Sequence, residues 1–349
     1  MANKELDAKI QQTILDIAKN PKNVEKYHEL ANLYGEDSKF DKMISTYESI
    51  LSIEPKNILA LISIGSLWFY KKDYRKAFSY YKQAEDLDPL NYAIFYNMGN
   101  VYAELKNFEK SLYYYNRALD LNSPKETIYN AMAQLFADFN NYVEAEIYYK
   151  KVISFEENDL TANIGLGNIY LQFDEYEKAL VHYKKIIDLH PDNKEVAVYA
   201  GKTFTALKKK EQAFEYYEKA LKMEGENYKI YVSYAISQSE FGNFDKAIEL
   251  YNKAIEEDPM AVTAYVLLGN LYYDLRKYDL AQEYYNKSLK KNYKNPIAHM
   301  SQGNAYYMQG DIEKALVSYR EAMKTGMDND EYKLIYLQIL DEYINKREK

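Results

Sequence analysis

The chain has 349 residues, of which 47% are hydrophobic and 28% are charged, and it contains only 12 Gly and 7 Pro. This composition allows a large apolar core and disfavours a turn-rich all-β fold, so we expect helices throughout. A net charge of −8 disfavours nucleic acid as a partner, because binding to phosphates requires clustered Lys and Arg. The absence of cysteine excludes disulfides, thiolate nucleophiles and Cys-based zinc sites.

Residues 1–23 are predicted to form an N-terminal capping helix. Their apolar stripe consists of Leu6, Ile10, Ile14 and Ile17. Charged residues between Lys4 and Lys9 interrupt the apolar core that a signal peptide needs, so we expect no export signal. The longest apolar stretch, residues 58–70, is shorter than the roughly 18 to 20 residues of a membrane-spanning helix. The sequence therefore predicts a cytoplasmic protein without a membrane partner.

From Val24 to Asn329 the sequence repeats every 34 residues without an insertion or deletion. The nine units begin at residues 24, 58, 92, 126, 160, 194, 228, 262 and 296. Within a unit, the core-type residues fall at positions 4, 7 and 11 and again at 17, 20, 24 and 27, which are the steps of a helical face. Each unit is therefore predicted to contain two amphipathic helices.

Two rows of residues recur in every unit. Position 8 is always Gly or Ala, and position 24 is always Tyr: Tyr47, Tyr81, Tyr115, Tyr149, Tyr183, Tyr217, Tyr251, Tyr285 and Tyr319. Position 20 is also small in eight of the nine units, with Met43 as the exception. The small residues predict a close crossing of the two helices, and the tyrosines are predicted to belong to the core.

Turn residues separate the helices, and a second cap follows the last unit. Gly242 with Asn243 has the chemistry of a helix stop followed by an N-cap. Proline at position 32 ends the second helix in four units, at Pro55, Pro89, Pro191 and Pro259. Residues 330–349 are predicted to form a C-terminal capping helix with the stripe Tyr332, Ile335, Ile339 and Tyr343.

The pattern resembles the tetratricopeptide repeat (TPR), whose signature is W-x2-L-G-x2-Y, then A-x3-F, then P. The third unit illustrates it with FYNMGNVY at residues 95–102, followed by Ser111, Tyr115 and Ala118. The sequence departs from the pattern at Lys210, Gln238 and Gln302, where the family has core residues. The resemblance implies an all-α fold: a right-handed α-solenoid superhelix of nine helix-turn-helix TPR units between N- and C-terminal capping helices.

No constellation of residues predicts catalysis. The four histidines, His28, His182, His190 and His299, lie in three different units and lack the spacing of paired metal ligands. The glycines are single, so there is neither a phosphate-binding loop nor a nucleophile elbow. We expect no enzyme activity, cofactor or metal.

The resemblance also implies a binding surface on the concave side, formed by positions 2, 5, 6, 9, 12 and 13 of the first helices; we call these positions the first-helix face. Its candidate residues are Phe69, Tyr70, Tyr96, Asn97, Asn100, Asn130, Gln134, Asn168, Tyr199, Asn270, Tyr273, Asn304 and Tyr307. Its charged residues are Glu25, Glu29, Glu36, Glu104, Asp138, Glu195, Glu240, Asp274, Lys202 and Lys229. The predicted partner is a neutral-to-basic polypeptide with apolar anchors.

Position 9 of this face carries an amide in most units, including Asn100, Gln134, Asn168, Asn270 and Asn304. An amide donates and accepts hydrogen bonds, so such a row can bind an extended backbone, or it can bond the neighbouring helix instead. The sequence leaves both readings open. The family's carboxylate clamp for heat-shock chaperones is disfavoured, because position 5 never carries Lys.

The sequence thus predicts a protein–protein interaction scaffold that binds a peptide or protein segment in its concave groove. One alternative is a non-catalytic arm or adaptor subunit of a separate enzyme, for example a glycosyl transferase. The other is a scaffold that associates with itself.

Overall fold

The computed structural model describes residues 2–121, 123–327 and 330–347, with side chains described for residues 5–121, 123–327 and 333–345. The described residues form 20 α-helices and no strand, so the predicted all-α fold is confirmed. The side chains of Lys4 and Tyr332 and the predicted cap residues 348 and 349 lie outside the described part of the chain.

Contacts divide the chain into two compact units, Met1–Ile169 and Tyr170–Lys349, and the boundary falls inside α10. The N-terminal unit contains α1 (Ala2–Lys19), α2 (Val24–Glu36), α3 (Phe40–Ile53), α4 (Ile58–Tyr70), α5 (Tyr74–Leu87), α6 (Tyr92–Glu104), α7 (Phe108–Leu119), α8 (Lys125–Asp138), α9 (Tyr142–Phe155) and most of α10 (Leu160–Gln172).

The C-terminal unit contains α11 (Tyr176–Leu189), α12 (Lys194–Ala206), α13 (Lys210–Leu221), α14 (Tyr228–Glu240), α15 (Phe244–Glu257), α16 (Val262–Asp274), α17 (Tyr278–Lys291), α18 (Pro296–Met308), α19 (Ile312–Lys324) and α20 (Asp330–Arg347). In both units, helices alternate between the first and the second helix of a repeat.

Local signals set where these helices begin and turn. Asn57 caps α4 by accepting a hydrogen bond from the backbone N–H of Ala60 at 2.9 Å. Position 15, in the turn between the two helices, has positive φ in all nine repeats: Ser38, Lys72, Lys106, Asn140, Asp174, Lys208, Gly242, Arg276 and Gly310. The first helix therefore always ends in the left-handed conformation, although only two of these residues are glycine.

The core of each repeat is centred on the position-24 tyrosine, and five of these side chains are among the largest fully buried ones. The small residue at position 8 makes room for the ring: a Cβ on Gly99 would lie 2.5 Å from the ring of Tyr115. Where position 8 is Ala133, the ring of Tyr149 lies instead against Gly165 of the next repeat. The residues at positions 8 and 24 thus pack together, because the tyrosine ring fills the space that a larger side chain at position 8 would occupy.

The end helices cover the first and last repeats. Ile10 of α1 is buried against Leu30, Leu33 and Tyr34, whereas Ile14 is 37% exposed and lies outside the contact predicted for it. At the other end, Ile339 of α20 is buried against α19, with Ile335 and Tyr343 packed beside it. Ile14 lies one helical turn beyond Ile10 and reaches solvent.

The two polar amides that depart from the repeat pattern are buried and hydrogen-bonded, whereas Lys210 is half-buried. The side-chain oxygen of Gln238 accepts a hydrogen bond from Asn243 at 2.6 Å. Gln302 donates to Asn286 at 2.9 Å and accepts from Ser318 at 3.4 Å. These hydrogen bonds offset the cost of placing amides at core positions.

Candidate functional site

The position-24 tyrosines contact the position-9 row of the first-helix face. The Tyr115 hydroxyl donates to Oδ1 of Asn100 at 2.7 Å, and the Tyr149 hydroxyl donates to Oε1 of Gln134 at 3.2 Å. Burial raises the pKa of Tyr149 to about 12, so its hydroxyl keeps the proton that it donates. The tyrosine thus fixes the orientation of the amide.

The same bond recurs in the C-terminal unit. Tyr285 donates to Asn270 at 2.8 Å and Tyr319 donates to Asn304 at 2.9 Å. In both pairs the amide oxygen accepts the hydrogen bond from the tyrosine, and the NH₂ group of the half-buried amide is left to donate elsewhere. Among the described residues, no further hydrogen-bond partner is assigned to the NH₂ of Asn100, Asn270 or Asn304.

These bonds agree with the structural reading of the amide row, because the oxygens of Asn100, Asn270 and Asn304 each accept a hydrogen bond from the second helix of the repeat. The NH₂ group of an amide can donate two further hydrogen bonds. At Gln134 this group donates to Asp138 at 2.7 Å. Sequence reasoning missed the tyrosine–amide hydrogen bond because the bonded residues are 15 positions apart on separate helices. Asn168 occupies the equivalent position in α10 and is half-buried.

In the N-terminal unit, the aromatic members of the first-helix face pack against neighbouring rings. Tyr96 lies 6.1 Å from Tyr115, measured between ring centroids, and Phe69 lies 5.6 Å from Tyr74. Tyr70 contacts Phe40 at 4.6 Å but remains 66% exposed. These rings are held in place, yet they present apolar surface.

Two amide candidates of the N-terminal unit differ from the row. Asn130 donates to both carboxylate oxygens of Asp159 at 3.2 Å, and Asp159 also caps α10 through the N–H of Ala162. Through Asp159, Asn130 therefore links α8 to the N-terminus of α10. Asn97 is half-buried on α6, next to Tyr96.

The aromatic candidates of the C-terminal unit are half-buried. Tyr199 stacks on Tyr183 at 5.7 Å and donates to Glu195 at 2.9 Å. Tyr273 lies 5.5 Å from Tyr278. Tyr307 donates to Glu342 of α20 at 3.1 Å, so the C-terminal helix partly occupies the face of the last repeat.

Charge is distributed differently on the two units. The first-helix face of the N-terminal unit carries five acids and no base, whereas that of the C-terminal unit carries three acids and two lysines. Three of the acids pair with lysines: Glu29 with Lys26 at 2.6 Å, Asp138 with Lys106 at 3.4 Å and Glu240 with Lys208 at 2.9 Å. The surface is consequently less acidic than its sequence suggests.

Partial burial affects the charged residues that lack such pairs. Desolvation raises the pKa of Asp274. It also lowers the pKa of the Lys202 amine, although Glu195 acts in the opposite direction. Both shifts reflect the cost of keeping a charge in a partly enclosed place.

The structure assigns packing contacts to three histidines. The His299 ring bonds the carbonyl of Tyr293 at 2.8 Å, His28 contacts Tyr47 edge-on, and His182 stacks on Tyr170. Within the described ranges, no group of three or more His, Asp or Glu side chains could hold a metal ion. None of the described helices combines the length and the apolar character needed to cross a bilayer.

These helix pairs, with one close crossing and one buried tyrosine in each repeat, define a helical-repeat protein. Tetratricopeptide repeat models match residues 25–57, 92–123, 126–159, 164–228 and 266–330, and a TPR repeat model matches residues 240–275. The chain belongs to the tetratricopeptide repeat family, as its sequence pattern predicted.

Solved structures share the fold at low sequence identity. A tetratricopeptide repeat protein from Parabacteroides merdae ATCC 43184 is 18% identical, with 71% of this chain and 98% of that chain covered and a TM-score of 0.60. Yeast Tom70 is 15% identical, with coverages of 99% and 94% and a TM-score of 0.59. Cut9–Hcn1, a hetero-tetramer of the APC/C, is 16% identical, with coverages of 86% and 59% and a TM-score of 0.53. A search of curated protein sequences finds no match.

Proposed function

We propose that this protein is an interaction scaffold whose first-helix face binds segments of other polypeptides. The observation that carries the proposal is the use of the amides: tyrosine hydroxyls donate to the oxygens of Asn100, Asn270 and Asn304, and among the described residues no partner is assigned to their NH₂ groups. A set of spaced donors suits the carbonyl groups of an extended peptide. In such binding the amides contact the main chain of the peptide, and the neighbouring residues of the face select its side chains.

The neighbouring residues favour a partner that is neutral to basic and has apolar anchors. Phe69, Tyr70 and Tyr96 offer aromatic surface, which supplies large contact area at a low entropic cost. Glu25, Glu36 and Glu104 have no lysine partner among the described residues, so a negative potential remains on the N-terminal unit. Charge complementarity would steer a basic segment to this unit.

The proposal can be tested by changing one amide without disturbing the core. Asn100→Asp keeps an oxygen for the Tyr115 hydroxyl and removes both outward donors. The control Asn116→Asp makes the same change on an exposed residue of α7, the second helix of the same repeat. A partner captured from native cell extract would be titrated by calorimetry at high salt, which screens the added charge.

We expect Asn100→Asp to weaken binding about five- to tenfold, the effect of losing a hydrogen bond worth about 1 kcal/mol and leaving a carbonyl unpaired. Asn116→Asp should leave the affinity unchanged. Joint replacement of Tyr96, Asn100, Gln134 and Asn168 should abolish binding. A partner that binds this fourfold variant as tightly as the native chain does would refute the proposal.

A further inference from the structure

A basic pocket lies on the N-terminal unit where the turn after α4 meets the end of α6, and it borders the first-helix face, because its lining residue Tyr74 contacts Phe69 and Glu104. Its volume is about 670 Å³, and it is lined by the cations Lys71, Lys72 and Arg75 and by Phe78, Tyr102 and Leu105, among others. On a chain with a net charge of −8, three cations around one cavity are unusual.

Two of the three cations are available to a ligand. Lys71 forms an ion pair with Asp41, but Lys72 and Arg75 have no ion-pair partner among the described residues. The only acid in the lining, Asp73, is occupied, because it caps α5 through the N–H of Lys76 and pairs with the Lys76 amine at 3.5 Å. Glu104, which accepts a hydrogen bond from the lining residue Tyr74 at 3.3 Å, offsets one of these two charges, so the pocket keeps a small excess of positive charge.

The repeat pattern shows how far this arrangement departs from the rest of the chain. Position 18, in the first turn of the second helix, is acidic in seven repeats: Asp41, Glu109, Glu177, Glu211, Asp245, Asp279 and Glu313. An acid there complements the positive end of the helix dipole. The second repeat has Arg75 instead, and α5 has no acid in its first turn. The positive charge of Arg75 therefore does not complement the helix dipole at this end of α5.

Much of the remaining lining is apolar. Phe78 and Tyr102 meet edge-on with ring centroids 5.4 Å apart, and Leu105 at the end of α6 is 52% exposed. Lys72 has φ of 62°, and its N–H is bonded to the carbonyl of Phe69 at 2.8 Å, so its backbone is fixed at the rim. An occupant would contact the cations together with aromatic and aliphatic surface.

We propose that this pocket is a second docking site, and that it binds an acidic segment of a partner protein through one apolar or aromatic side chain. Carboxylates of the segment pair with Arg75 and Lys72, and the apolar side chain packs on Phe78, Tyr102 and Leu105. This partner chemistry is opposite to that proposed for the first-helix face. One chain could therefore hold two segments of different charge.

The test uses the whole chain and a fluorescein-labelled peptide with three glutamates on each side of a central phenylalanine, followed by fluorescence anisotropy at low salt. Arg75→Glu installs the residue type that most repeats carry at this position, so the helix should form normally. Lys72→Gly suits the left-handed turn. The control Lys210→Glu makes the same change of charge as Arg75→Glu in the first turn of α13.

We expect Arg75→Glu with Lys72→Gly to weaken peptide binding at least tenfold, and Lys210→Glu and Asn100→Asp to change it less than twofold. A peptide with serine in place of phenylalanine should bind at least fivefold more weakly. The proposal is overturned if the double variant binds as well as the native chain, or if the serine peptide binds equally well. The second result would indicate general attraction of anions and not a pocket.

Discussion

The N-terminal and C-terminal units are built on the same repeat but differ in what they add to it. Both keep the position-24 tyrosine, the small residue beneath it and the left-handed turn at position 15. At position 7, the N-terminal unit has a bulky apolar residue in every repeat, whereas the C-terminal unit has Ala200 and Gln302 among its residues. The comparison teaches that a few rows suffice for the fold and that the other positions are free to vary.

The surfaces differ as much as the cores. The N-terminal unit combines an acidic first-helix face with a basic pocket at its turns, while the first-helix face of the C-terminal unit mixes both charges. The C-terminal unit also buries a polar cluster around Gln302, in which the side-chain oxygen of Gln282 has no hydrogen-bond partner among the described residues. We expect the C-terminal unit to be the one that is stabilised when a polar core residue is replaced by an apolar one.

The largest expected effect tests what the units share. Tyr115→Ala in the N-terminal unit and Tyr285→Ala in the C-terminal unit should each lower the free energy of unfolding by about 3–5 kcal/mol, because each leaves a ring-sized cavity. Guanidinium titration followed by circular dichroism would measure both changes. A loss in only one unit would mean that the tyrosine row is not a common core.

A smaller effect should distinguish the cores. Gln282→Leu removes a buried acceptor without a partner and should stabilise the protein by about 1 kcal/mol, net of one lost hydrogen bond to the carbonyl of Gln302. Leu316→Gln, the reverse change at the same position of the next repeat, should destabilise it by about 2 kcal/mol. Thermal melts of both variants give the comparison, and a destabilising Gln282→Leu would show that the polar cluster is satisfied.

The tyrosine–amide bond can be isolated within the C-terminal unit. Tyr285→Phe should cost about 1 kcal/mol, because it removes the hydroxyl that donates to Asn270. The matched control is Tyr251→Phe, since the residue at position 9 of that repeat is Ile236, which cannot accept a hydrogen bond. Equal losses in urea titrations of the two variants would show that the bond contributes nothing to stability.

Sequence reasoning predicted the helix pairs and the two core rows, because these depend on residue type at a fixed spacing. It could not predict the tyrosine–amide bond or the ion pair of Lys106 with Asp138, which span 15 and 32 residues and depend on how helices are placed. It also recognised the turn at Gly242 but not the same conformation at Lys72, because lysine carries no signal for positive φ.

The smallest expected change in stability concerns the positive φ at position 15. Ser38→Gly should stabilise the protein by about 0.5–1 kcal/mol, because glycine adopts positive φ without the steric cost that Ser38 has at φ of 53°. Gly310→Ser, its reverse in the C-terminal unit, should destabilise by a similar amount. Differential scanning calorimetry measures both, and shifts of the same sign would rule out backbone strain as the cause.

The central claim is that a bound polypeptide lies on the first-helix face, and site-specific photo-crosslinking tests it most directly. Benzoylphenylalanine would replace Tyr96 on the first helix α6 or Tyr113 on the second helix α7, where Tyr113 is 58% exposed. The account predicts that the captured partner crosslinks from position 96 and not from position 113. Crosslinking from position 113 alone would contradict it.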